Sequence, residues 1–75
     1  MEFLRVKDIM QKMRISKPQL YKLIRQGMFP NPVKIGKMSV WINTEVEKVM
    51  LALCTNTDVE SLKNIVREIE GSRHN

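Results

Sequence analysis

The sequence predicts a small, mainly α domain with one β-hairpin, in the order α-α-β-β-α-α, and three observations predict it. The first is the stretch Ser16–Gln26, SKPQLYKLIRQ, closed by Gly27. Ser16 followed three residues later by Gln19 is a capping box, in which serine accepts from the Gln19 amide and glutamine reaches back to the Ser16 amide. Pro18 sits in the first turn, where its missing N–H costs nothing, and Gly27 suits the left-handed end of a helix. The second is the pair of strand-like runs Val33-Lys34-Ile35 and Met38–Ile42 around Gly36-Lys37. Glycine at the first central position suits a type II′ turn. The third is a pair of Thr-x-x-Glu boxes, at Thr44 and Thr57, each followed by an apolar stripe of helical period.

Taken in order, Phe3 and Leu4 read as an apolar lead-in. Val6, Ile9, Met10 and Met13 lie at offsets 0, 3, 4 and 7 and make a first helix. Arg5 caps it poorly, having no side-chain acceptor, and Lys7, Asp8 and Lys12 face water. A break at Arg14-Ile15 leads into the Ser16 helix. Two short helices joined by three or four residues, over 6–26, outline a helix-turn-helix, whose second helix enters a major groove. Pro30 and Pro32 keep the next segment from being helical, and Phe29 is expected to plug it onto the core. A lone hairpin is unstable in water, so residues 33–42 must lean on the helices, with Trp41 making that contact. A helix over 45–54 follows, with Val46, Val49, Met50 and Leu53 as its stripe and Leu51, Ala52 and Cys54 widening it. A last helix over 58–70 carries Val59, Leu62, Ile65, Val66 and Ile69. Residues 72–75 read as a polar, fraying tail.

Seventy-five residues make one domain with a thin core. One cysteine excludes a disulfide framework within the chain, and no Cys/His cluster suggests zinc. No metal or cofactor is expected. No apolar run approaches the roughly 20 residues that span a bilayer. The start of the chain carries no apolar signal-peptide core, so a cytoplasmic protein without membrane contact is expected. An enzyme is not: there is no Gly-rich phosphate loop, no metalloprotease motif and no paired carboxylates. Cys54 reads as a small apolar residue with no activating base, and His74 as a lone histidine in the tail.

The net charge is +5 and is one-sided. Residues 1–43 hold nine Lys/Arg against Glu2 and Asp8, a net +7, and residues 44–75 hold four against six acids, a net −2. Such a field attracts a polyanion. On the Ser16 helix, Leu20, Leu23 and Ile24 share one side and Lys22 and Arg25 the other. The expected double-stranded DNA contacts are Ser16, Lys17, Gln19, Tyr21, Lys22, Arg25, Lys34 and Lys37. Gln19 can pair with an adenine, and Arg25 or Lys22 with a guanine edge, or each can hold phosphate. The Ser16 hydroxyl and the N-terminal amides suit a phosphate. Tyr21 packs its ring at the core edge with its hydroxyl in water or on phosphate. Lys34 and Lys37 stand at the hairpin for phosphate.

The segment from Leu4 to about Met50 resembles the AlpA-type prophage regulators, grouped with phage excisionases among MerR-like winged helix-turn-helix domains. The matching residues are Leu4–Ile9, Ile15–Ile24, Gly27-Met28-Phe29-Pro30, Pro32–Gly36, and Trp41 followed by Thr44-Glu45-Val46. The resemblance implies a winged helix-turn-helix (α-α-β-β-α) with an extra C-terminal helix. It also implies a transcription regulator or excisionase, with the Ser16 helix in the major groove and the hairpin as a wing on phosphate. Arg14 stands where the family has a turn glycine, and Val40 where it often has a basic residue.

The last helix lies beyond the resemblance. It can cover the third helix, pair with a second copy, or face a partner such as an integrase or RNA polymerase. A self-dimer or a cooperative array on repeated sites is the expected route to selectivity, since one module buries only about 600–1,000 Å². The rival reading is a protein-binding adaptor or inhibitor that uses the fold without DNA.

Overall fold

Phe3–Leu4, expected as a lead-in, is a strand, β1, and it pairs antiparallel with the hairpin in the computed structural model, which describes residues 2–55 and 57–73. The order of elements is β1, α1 (Val6–Met13), α2 (Lys17–Arg25), β2 (Val33–Ile35), β3 (Met38–Ile42), α3 (Asn43–Cys54) and α4 (Val59–Ser72). The sheet has the order β1-β3-β2, with Leu4 opposite Trp41, Phe3 opposite Ile42, and Val33, Lys34 and Ile35 opposite Val40, Ser39 and Met38. The fold is therefore mainly helical, with a small antiparallel sheet, in a winged helix-turn-helix arrangement extended by a C-terminal helix.

Each helix end follows from local chemistry. The α1 start, expected to be poorly capped, is held from the other side: the Asp8 carboxylate accepts the Arg5 amide at 2.9 Å. The α1 end is left-handed at Arg14 (φ 55°, ψ 47°), and the Ile15 amide returns to the Met10 carbonyl. The α2 box forms as drawn, with the Gln19 amide on Ser16 Oγ and the Ser16 amide on Gln19 Oε1. Gly27 (φ 76°) closes α2 in a Schellman motif, its amide on the Ile24 carbonyl and that of Met28 on the Leu23 carbonyl. Gly36 has φ 60° and Lys37 does not share the left-handed region, the sign pattern of a type II′ turn.

The other two boxes do not form. β3 runs directly into α3, so the helix starts at Asn43 and Thr44 lies inside it. The Asn43 amide bonds the Glu2 carbonyl beside β1 at 2.9 Å, and the Asn43 side chain donates to Glu47 at 2.7 Å. For α4, Asp58 rather than Thr57 is the cap, accepting from the Ser61 amide at 2.8 Å. That amide, and then the Ser61 hydroxyl, hold the Asp58 carboxyl below its ordinary 3.8. The expected fraying tail is also shorter: α4 continues through Gly71 and Ser72, and Arg73 is docked. His74 lies outside the described residues.

The core gathers Leu4, Ile9, Leu20, Phe29, Trp41, Val46, Val49 and Ala52 with Leu62, Val66 and Ile69 of α4. α4 thus covers the core of its own chain. Trp41 and Phe29 meet edge to face, with centroids 6.1 Å apart, and the indole N–H donates to the Pro30 carbonyl at 2.8 Å. One buried pair therefore pins the proline loop to the sheet. The widened apolar face expected of α3 is only partly buried. Leu51 is 65% exposed and Cys54 is exposed, because at 100° per residue Leu51 falls opposite Val46, Val49 and Leu53.

Candidate nucleic-acid interface

A helix can present a reading face only if its other face is held, and α2 is held along its length. Leu20 is fully buried, Leu23 and Ile24 pack on the core, and the Schellman turn delivers Phe29 into it. Lys17, Pro18, Gln19, Lys22, Arg25 and Gln26 are exposed, with Pro18, Lys22 and Arg25 opposite Leu20. Tyr21 is half-buried between the two faces. Gln19, Lys22 and Gln26 also edge a shallow groove of about 330 Å³ floored by Ile15 and Leu23.

The start of α2 offers an anion less than its position suggests. Pro18 has no N–H, the Gln19 amide is on Ser16 Oγ, and the Leu20 amide is on the Ser16 carbonyl. Of the first four amides, that of Lys17 is the one without a partner among the described residues. The Ser16 hydroxyl is itself engaged, donating to Gln19 Oε1 at 3.2 Å. Gln19 Oε1 accepts from both the amide and the hydroxyl of Ser16. Bidentate pairing with adenine needs that oxygen and the –NH₂ together. As folded, Gln19 presents the –NH₂ alone.

On the wing, Lys37 is exposed at the turn and Lys34 reaches across to Ser39 Oγ at 2.8 Å. Register puts Lys34, Ser39, Trp41 and Leu4 on one face of the sheet, the face toward the helices. Ser39 also borders a groove of about 490 Å³ with Arg5, Val6, Lys7 and Asp8. The structure thus adds two cations, Arg5 and Lys7, beside the wing, to those expected from the sequence. Nothing in the sequence marks this neighbourhood, because it depends on a two-residue strand pairing with β3.

The electrostatics reinforce this separation. The ion pair recorded among the described residues joins Arg73 to Glu45 at 2.7 Å. Lys12 bonds Asn43 and Lys34 bonds Ser39, both neutral partners. None of the nine basic side chains of residues 1–43 is paired with a carboxylate among the described residues, so the positive field is not cancelled where it arises. Nor do the described residues gather a group of His, Cys, Asp or Glu able to hold a metal. No helix among them is long and apolar enough to cross a membrane.

A braced helix-turn-helix, a basic wing and an uncompensated positive half define a regulator-type winged helix domain. The chain belongs to the prophage CP4-57 regulatory protein (AlpA) family, whose model matches residues 2–52. It is also similar to the uncharacterized protein ORF88 of Enterobacteria phage P4, with 42% identity over 45 residues, 59% of this chain and 51% of that protein. The chain therefore spans about half the length of that relative. No solved structure matches it. The family is one of phage regulatory proteins.

Proposed function

We propose that this chain is a single sequence-specific domain for double-stranded DNA, of the MerR-like winged helix kind, acting as a transcription regulator or excisionase of a prophage or mobile element in the cytoplasm. The observation that carries it is the exposed outer face of α2, with Lys22 and Arg25, and Lys17 at the helix start, free of carboxylate partners among the described residues. Family membership supports the regulatory reading. In this reading α2 lies in the major groove, and Arg25 and Lys22 meet base edges, with arginine best suited to a guanine. Gln19 donates one hydrogen bond from its –NH₂ while its oxygen holds the cap. Ser16 serves chiefly to orient the helix start, and Lys17 and the Tyr21 hydroxyl reach phosphate. The wing lies over the adjacent backbone, with Lys34 and Lys37 on phosphates and Arg5 and Lys7 beside them.

Selection from random duplexes, followed by titration of the recovered site against salt, tests this. With about four to six phosphates contacted, log K falls against log salt with a slope of roughly −4 to −5. Arg25→Ala relaxes base preference, whereas Lys37→Ala weakens every sequence alike. Binding indifferent to salt, or no duplex binding, would sink the reading in favour of a protein-binding adaptor.

A further inference from the structure

The sheet has two apolar faces, and the core uses only one. Trp41 and Leu4 point into the core, so strand alternation sends Phe3, Val33, Ile35, Met38, Val40 and Ile42 to the other side. None of those six belongs to the core cluster or packs against it. Phe3 is 49% exposed, Ile35 43% and Met38 40%. Val40, in the middle of the central strand, is nonetheless 2% exposed. Val33 and Ile42 beside it are half-buried, so the exposed apolar rim of this small second cluster is Phe3, Ile35 and Met38. A single-layer sheet of this kind ordinarily turns polar residues to water on its free face, and this one turns none.

We propose that this outer face is a docking surface for a second copy of this chain, used when two copies bind neighbouring sites on one duplex. The proposal rests on the DNA reading above. Two observations select this occupant. The six positions carry no charge, so the face offers nothing to select a partner of complementary charge, and it matches itself under a two-fold without burying an ion. The face is also small. With strands about 4.8 Å apart and a rise of about 3.4 Å, each residue of β1, β2 and β3 covers about 16 Å², and the whole face roughly 160 Å². Paired with itself, the face buries about 320 Å², roughly a quarter of the lower bound for a stable interface. It cannot hold a standing dimer in solution. It suits copies that DNA already holds side by side, where the effective concentration reaches about the millimolar range. Both wing strands contribute to the face, so it lies beside the proposed phosphate contacts.

The test uses the intact chain and duplexes carrying one or two adjacent copies of the selected site. Phe3→Thr and Met38→Thr remove apolar surface without changing charge and place a strand-favouring β-branched residue there; Leu51→Thr is the control, an exposed apolar residue on α3. The wild type is expected to bind the second site about tenfold more tightly than the first. Phe3→Thr and Met38→Thr are expected to lose that gain with single-site affinity unchanged, and Leu51→Thr to retain it. In parallel, amide spectra of the DNA-free protein up to about 1 mM should shift with concentration along all three strands in the wild type and not in Phe3→Thr. Single-site binding without cooperativity overturns the proposal and leaves the DNA reading standing. Concentration-dependent shifts without any duplex binding retain the self-docking face and overturn both its use on DNA and the DNA reading. Neither shifts nor cooperativity refutes the face outright.

Discussion

At residue scale, Arg14 shows how a single backbone angle sets a cost. It is the one non-glycine residue with positive φ among the described residues, and it ends α1 where the chain must turn into α2. A side chain in the left-handed region crowds its own carbonyl and costs about 1 kcal/mol. Arg14→Gly is therefore expected to stabilise the fold by up to about 0.5 kcal/mol in chemical denaturation, after the greater freedom of glycine in the unfolded chain is offset. Arg14→Ala keeps the Cβ and should bring no such gain. An equal gain for both would refute the backbone explanation. The position could be flagged from sequence, because the turn needs an end signal and neither Gly nor Asn is there. Gln19 shows the opposite limit. Its capping spacing is legible, but that the cap takes up both acceptor sites of its oxygen depends on atomic positions.

At the scale of elements, α4 decides whether the domain holds together. Its Leu62, Val66 and Ile69 are buried in the core, each contributing about 1.5–3 kcal/mol, so roughly 5–9 kcal/mol in all. That is comparable with the whole net stability of a small domain. Truncation after Thr55 should therefore abolish cooperative thermal unfolding, and Leu62→Ala should cost about 2–5 kcal/mol. A sharp transition in the truncated chain would show that α4 is dispensable. The end of α4 also latches the proline loop. Arg73 donates to Glu45 and to the Asn31 carbonyl, and Glu70 accepts from the Asn31 amide and side chain. Arg73→Met should cost about 1–3 kcal/mol, since it strips partners from half-buried groups. The apolar stripe of α4 was readable. Its destination was not, because a stripe says that a face is covered and not by what.

At the scale of the molecule, charge and core divide the labour. The basic first half carries the elements that would meet DNA, and the acidic second half supplies α3 and α4, which brace them. If Arg5 reaches phosphate beside the wing, Arg5→Ala should make the salt slope shallower by about 1 without altering base preference. An unchanged slope would remove Arg5 from the interface. The capping box and glycine stop of α2, the hairpin turn and the outward cations of α2 were determined by the sequence itself, since each depends on spacings within a few residues. Only the tertiary structure decided that Phe3–Leu4 is a strand, that Arg5 and Lys7 stand by the wing, and that the sheet keeps a second apolar face. These depend on pairing between segments nearly forty residues apart, where register, rather than local preference, assigns each side chain to a face.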